Sequence, residues 1–305
     1  MRAQERAGAF GVGVAALYSA EFLSAVAGLR LATGTIRTAS THGERTSARC
    51  GPGMEFRDFR PYTPGDDLRR IDWHVYRRSG HLFLRRYEDM QVMPVYLLVD
   101  VSSSMFFEER PRADMGRQLA AAIISAALHG HDPVSVFPFD SKLRPAMQRV
   151  SGRHRLAQVL EFLEQQRPAG KTDLGRAVTE LSAATKRRGL AVVISDFFDE
   201  RGIGAVTAAL EKLPHRLALV RITRQADAEP SLAENLELVD CESETLRVVA
   251  PTAAVLDAYR TAYGRFVTGL ETFAARHGVK SWVFDTGEPL LPQMAKAFPG
   301  GTITV

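Results

Sequence analysis

Asp100, Ser102 and Ser104 stand at alternate positions just beyond the apolar run Val95–Val99. A carboxylate followed by hydroxyls two and four residues later can turn three oxygen donors toward one point. Hard oxygens of this kind suit Mg²⁺, Mn²⁺ or Ca²⁺ far better than zinc or copper. An apolar run bounded by polar residues reads as a fully buried strand, central in a parallel sheet. Open α/β sheets bind their ligands at the carboxyl ends of strands, where the strand order reverses. The competing role for these residues is structural: the serines would cap the helix that follows, and Asp100 would sit in a buried hydrogen bond.

The Asp-x-Ser-x-Ser ending of a buried strand resembles the metal-ion-dependent adhesion site of von Willebrand factor type A (vWA) domains. That resemblance implies a Thr and a later Asp, from two other loops, to complete the site. Thr172, in Gly170-Lys-Thr-Asp-Leu174, lies 72 residues after Asp100 (172 − 100) and opens a helix-like run. Asp196 ends a second buried strand, Val192-Val-Ile-Ser-Asp196. The implied ligands are therefore Asp100, Ser102, Ser104, Thr172 and Asp196, holding Mg²⁺ or Mn²⁺, with Ca²⁺ as an alternative. The resemblance also implies an open coordination position, which an acidic residue of a client protein fills.

A second dense motif runs from Gly51-Pro-Gly53-Met-Glu55-Phe56 through Arg60-Pro-Tyr62-Thr-Pro64-Gly65-Asp66-Asp67 to Arg69-Arg70-Ile71-Asp72-Trp73. It resembles the signature of the domain-of-unknown-function 58 family, in which such a run precedes a vWA-like domain. The resemblance implies a non-catalytic, chaperone-like adaptor and a MoxR-type AAA+ ATPase as partner. Physically, arginines pair with carboxylates through two hydrogen bonds, which fixes orientation as well as energy. Glu55, Arg60, Asp66, Asp67, Arg69, Asp72 and Trp73 are thus either a salt-bridged clasp that seats an amino-terminal hairpin on the sheet or a partner-binding face.

The elements that must position these groups alternate along the chain. Strands are expected near 133–140, 190–196, 215–223 and 279–285. Helices are expected near 112–128, 153–166, 174–188, 200–213, 252–277 and 289–298, with an edge strand at 143–150 and an inserted hairpin over 236–249. Alternating strands and helices give a mostly parallel, Rossmann-like α/β sheet of vWA type with helices on both faces. An amino-terminal helix and β-hairpin module would precede it, dividing the chain into a tail (1–18), a signature module (19–93) and a vWA-like domain (94–305).

A chain of 305 residues with 45% apolar and 24% charged residues can bury a sizeable core. Its formal net charge of +4 demands neither nucleic acid nor an anionic membrane as partner. Cys50 and Cys241 are too few for a Cys-rich zinc site and too distant in sequence for a disulfide framework, which suits a reducing, cytoplasmic setting. The Ala/Gly/Val-rich stretch 7–20 mimics the core of an export signal, but Glu5 and Glu21 flank it. No apolar run approaches the ~20 residues of a membrane span.

Three enzyme readings meet obstacles. There is no Gly-x-x-x-x-Gly-Lys-Ser/Thr loop, no Gly-x-Ser-x-Gly elbow, and no glycine fingerprint after the first strand. A metal-dependent phosphohydrolase using Asp100 and Asp196 is the alternative function, but Ser102 stands where a second acid would serve as general acid/base.

Overall fold

The computed structural model describes residues 17–32, 54–89, 92–107, 111–168, 170–230, 236–239, 246–249 and 252–305. The chain divides into two compact units, Met1–Thr35 with Met93–Val305, and Ile36–Val92.

The larger unit opens with α1 (Ala20–Ala27), capped by the Ser19 hydroxyl, which accepts from Phe22 N at 3.1 Å. Phe22 and Val26, four apart and hence on one helix face, bury in the same core as the central strand. Gly28 closes the helix and β1 (Arg30–Ala32) follows. The expected single module of 19–93 is therefore divided: its first helix belongs to the larger unit because its apolar stripe has its core there.

In the smaller unit β2 (Met54–Pro61) and β3 (Phe83–Asp89) form an antiparallel hairpin with an irregularity between Phe56 and Asp58. Between them lies α2 (Trp73–Ser79), capped by Asp72 and stopped by Gly80 at φ 68°. Ile71 bridges to Leu84, and both are buried.

The larger unit resumes with β4 (Val95–Asp100), α3 (Arg112–His129), β5 (Val134–Phe139), β6 (Met147–Val150), α4 (Leu156–Glu164) and α5 (Leu174–Ala184). It continues through β7 (Leu190–Ser195), α6 (Ile203–Leu210), β8 (Arg216–Thr223) and a one-turn helix α7 (Gln225–Ala228). The last elements are β9 (Leu236–Val239), β10 (Leu246–Val249), α8 (Ala253–His277), β11 (Lys280–Asp285), α9 (Leu290–Ala297) and β12 (Thr302–Thr304).

Six strands make one sheet in the order β11-β8-β7-β4-β5-β6, parallel throughout except for the antiparallel edge strand β6. This is the α/β class expected from the alternation of strands and helices. The inserted segment pairs β9 with β10 as a sheet of its own. β1 pairs in parallel with β12, joining the two ends of the larger unit.

Strand residues alternate between two cores. Val95, Leu97 and Val99 pack with α1, α3, α4 and α9, whereas Tyr96 and Leu98 pack with α5, α6 and α8. All six residues of β4, of β5 and of β7 are buried, as continuous apolar runs in a covered parallel sheet should be. On α3 the small residues Ala120, Ala121, Ala122, Ala126 and Ala127 keep the helix close to the strands beneath it. The helix also holds α1, through Gln118 Nε2 to Leu17 O and Ser125 Oγ to Val26 O.

Gly189 fixes the register of the two central strands. A Cβ there would lie 2.1 Å from the carbonyl oxygen of Pro94, so only glycine admits the approach. The contact lets Leu190 N donate to Pro94 O at 2.9 Å as β7 starts beside β4.

Candidate metal centre

The strand order reverses between β4 and β7: β4 leads on to β5 on one side, and β7 to β8 on the other. The carboxyl ends of β4 and β7 therefore face the crevice that such a reversal opens. Asp100 ends the first and Asp196 follows the second, each 1% exposed.

Asp100 is held at both oxygens. Ser102 N donates to Oδ1 at 2.9 Å and Ser195 Oγ donates to Oδ2 at 2.5 Å. Ser195 Oγ in turn accepts from Phe197 N at 2.9 Å. Phe197 takes a left-handed conformation, φ 63°, unusual for a bulky side chain and typical of strain kept at working sites. Phe197 is buried and Phe198 half-buried, so the first is core and the second lies at its margin.

Ser102 and Ser104 face each other, Oγ to Oγ, at 3.0 Å. Ser102 is fully buried and precedes the 3-10 turn Ser103–Phe106 without capping it. The capping role weighed for this serine is not realised, and its hydroxyl is directed to the other donor of the triplet instead. Ser103 N donates to Gly170 O at 3.1 Å, which sets the 170–173 loop against the serine turn. Thr172, half-buried, lies in that loop. Its neighbour Asp173 donates its backbone N–H to Asp140 O at 3.0 Å and caps α5 by accepting from Arg176 N at 2.9 Å.

Asp196 accepts from Phe198 N at 3.1 Å through Oδ1. Its Oδ2 lies 3.4 Å from Nη1 of Arg112, whose Nη2 pairs with Asp227 at 2.5 Å. Burial pushes the Asp196 carboxyl well above the usual carboxylate range, and the negative charge of Asp100 pushes it further; Arg112 opposes both. Two buried carboxylates thus repel each other beside a pair of hydroxyls.

The third loop is stapled to the second. Arg201 Nη2 bonds Asp173 at 2.7 Å and Asp199 at 2.8 Å, and Lys171 pairs with Glu200. All three loops that carry the expected ligands are therefore joined by hydrogen bonds.

Among the described residues no group of three or more His, Cys, Asp or Glu is arranged to hold a metal. What is assembled is two carboxylates and two hydroxyls, a donor set of hard oxygens only. That composition fits Mg²⁺, Mn²⁺ or Ca²⁺, and the mutual repulsion of Asp100 and Asp196 is the property a divalent cation would relieve.

In the charged block of the smaller unit, several carboxylates make local bonds. Arg60 and Asp66 do pair, at 2.5 Å, but on the surface and six residues apart. Asp66 also accepts from Thr63 N and Thr63 Oγ1; those bonds, then Arg60, hold its carboxyl below the usual range. Asp67 accepts from Arg69 N at 3.0 Å and begins a 3-10 turn. Asp72, buried, accepts from His74 N and Val75 N at the start of α2. Turn and cap geometry within the block thus employs Asp66, Asp67 and Asp72 locally. Trp73 is 57% exposed and meets Tyr76 edge-on at 6.0 Å. The side chain of Glu55 lies outside the described residues.

Sequence reasoning missed Ser195, Arg112 and Asp227. One signal was available: an arginine at the first position of a helix opposes the helix dipole, which marks it for another task.

Comparison with known proteins places the chain among relatives. A family model described as "Protein of unknown function DUF58" matches residues 58–268. The uncharacterized proteins Mb1516 of Mycobacterium bovis and Rv1480 of Mycobacterium tuberculosis are each 29% identical over 230 residues, covering 72% of this chain and 71% of theirs. Among solved structures, the hypothetical protein BatB of Bacteroides thetaiotaomicron aligns with TM-score 0.43 at 14% identity, over 67% of this chain and 95% of that one. An aerotolerance-related membrane protein of Bacteroides fragilis aligns with TM-score 0.38 at 16% identity, over 67% and 96%.

Proposed function

The chain belongs to the DUF58 family of proteins of unknown function, and on that premise we propose that its larger unit is a vWA-like, metal-dependent protein-binding module and not an enzyme. The observation that carries this reading is the juxtaposition of Asp100 and Asp196, buried and mutually repelling at the switch point, with the facing hydroxyls of Ser102 and Ser104. Ser102, Ser104 and the two carboxylates would hold a divalent cation, with Thr172 contributing from the adjoining loop. When bound, the cation supplies positive charge and an open coordination position for an acidic side chain of another protein. Asp100 is oriented by Ser102 N and Ser195 Oγ, so one of its oxygens can be shared only along the remaining lone-pair directions. Arg112 neutralises part of the charge on the Asp196 side.

The chain carries no nucleotide loop of its own, so ATP hydrolysis would come from a partner, a MoxR-type AAA+ ATPase. Phosphohydrolase chemistry is the weaker reading, because it needs a spare acid or base beside the reacting group. Asp173, the nearest candidate in sequence, is already engaged as the cap of α5 and as the partner of Arg201. We place the protein in the cytoplasm, the reducing setting that its two sparse, sequence-distant cysteines suit.

Calorimetric titration with Mg²⁺ and Mn²⁺ tests the metal. Asp100→Asn combined with Ser102→Ala should abolish the heat of binding while the circular dichroism of the chain is retained. Unchanged binding in that folded variant would remove the assignment. Purified wild type should turn over neither ATP nor simple phosphoesters, and turnover lost in Asp100→Asn would promote the hydrolase reading instead.

A further inference from the structure

At the opposite, amino-terminal edge of the sheet lies a cavity of about 330 Å³, between the starts of β4 and β5, the end of β6 and the end of α5. Tyr96, on its wall, is four strand residues from Asp100, roughly 13 Å at ~3.3 Å per residue. The cavity is thus separate from the candidate metal centre.

Its lining combines two kinds of side chain. The rings of Tyr96 and Phe137 are buried and lie 6.4 Å apart, centroid to centroid. Arg149, Lys186 and Arg187 bring three cations to the rim, and among the described residues no acidic one lines the space. None of the three forms an ion pair among the described residues. Tyr96 is fixed from behind: its hydroxyl donates to Arg187 O at 2.9 Å, and the His215 ring packs against it at 4.7 Å.

A backbone irregularity brings Arg149 there. Val134 pairs with Val150 and Val136 with Met147, so β5 advances two residues while β6 advances three. This is a β-bulge, a device that re-aims a side chain. Within it Arg149 adopts φ 53°, and its N–H donates to the buried Ser135 hydroxyl at 3.0 Å. A left-handed bulge position is where glycine is at no disadvantage and arginine is strained. A charged, long side chain kept at such a point, beside two unpaired cations and an aromatic wall, calls for an anion.

We propose that this cavity binds a small organic anion, its phosphate or carboxylate head held by Arg149, Lys186 and Arg187 and its flat apolar body set against Tyr96 and Phe137. The volume sits at the small end of the range for ligand pockets, which suits a single ring with one charged group.

Phenyl phosphate is the probe, followed by nuclear magnetic resonance titration of the full chain. It should bind more tightly than phenol, which lacks the charge, and than inorganic phosphate, which lacks the ring. Arg149→Gln with Arg187→Gln, both exposed positions, should weaken it at least about tenfold. The Asp100→Asn, Ser102→Ala variant should bind it as the parent does. Arg149→Gly removes strain and charge together, so affinity should fall while the melting temperature holds or rises. No saturable binding at millimolar concentration, equal affinity in the double arginine variant, or a loss of affinity in the metal-site variant would each overturn the proposal.

Discussion

Asp100 and Asp196 are equally buried but differently supported. Asp100 accepts two hydrogen bonds from neutral donors, whereas Asp196 depends on a backbone N–H and on Arg112, 84 residues earlier in the chain. Arg112 is itself buried and shared with Asp227. Removing one partner of a buried ion pair leaves a charge without compensation, which costs about 3–5 kcal/mol. Arg112→Met should therefore lower the unfolding free energy by roughly 3 kcal/mol in a denaturant titration, far beyond a surface substitution. Unaltered stability would mean that Arg112 is dispensable to the fold. A second residue-scale prediction concerns His215, whose imidazole is held below its ordinary pKa by burial and then by Arg188. The unfolded chain takes up that proton near pH ~6.5 while the folded chain resists it. Stability should accordingly be full above that pH and fall as pH drops from it toward the depressed folded value. His215→Gln should flatten this part of the profile, measured by denaturation at a series of pH values. The Asp-Ser-Ser triplet was legible in sequence because its members lie within five residues. Arg112 and Asp227 were not, since their partnership spans 115 positions and nothing local announces it.

The strands were legible for a different reason: parallel strands covered on both faces must be apolar without interruption, and β4, β5 and β7 are. Helix ends were less so. The run expected to continue to 188 stops at Ala184, because Thr185 turns to extended backbone and spends its hydroxyl on Leu181 O and the His215 ring. A tertiary hydrogen bond, not propensity, ends α5. The pairing of β1 with β12 joins three-residue strands some 270 positions apart, too short for any period to register. In the charged block, Asp67 and Asp72 were expected in a salt-bridged clasp or a partner-binding face, and each also stands at a cap position that a local reading would have found. At this scale Gly189 offers a sharp test. Its missing side chain permits β7 to start against Pro94 and so sets Ser195 level with Asp100, with Asp196 one residue beyond. Gly189→Ala should destabilise the chain by roughly 1–3 kcal/mol or more, as overpacking against backbone does. It should also weaken Mg²⁺ binding in calorimetry, since the ends of β4 and β7, which carry the two carboxylates, no longer keep their register. A variant with parental stability and metal affinity would show that the strands can shift at no cost.

Across the whole molecule, the switch point is where the sequence-distant parts of the larger unit meet: β4 and its serine turn, the 170–173 loop, and the stretch after β7 with Arg201 and Glu200. A cation held there would bind only the folded arrangement, because the unfolded chain scatters these ligands over about a hundred residues. Binding to the folded state alone adds stability as the logarithm of ligand concentration, about 2.7 kcal/mol at a hundredfold excess over the dissociation constant. In a unit of this size each kcal/mol raises the melting temperature by roughly 2–4 °C. Mg²⁺ or Mn²⁺ should therefore raise the melting temperature of the wild type by several degrees, in proportion to the logarithm of concentration, and chelation should reverse it. The same titration on Asp100→Asn, Ser102→Ala should be flat, and on Thr172→Ala shifted to higher metal concentration. Relief of the repulsion between Asp100 and Asp196 makes this dependence specific to divalent ions, so Na⁺ at equal ionic strength should not reproduce it. A wild-type melting temperature indifferent to both divalent ions would leave the carboxylate pair as a purely structural feature and withdraw the adaptor reading with it.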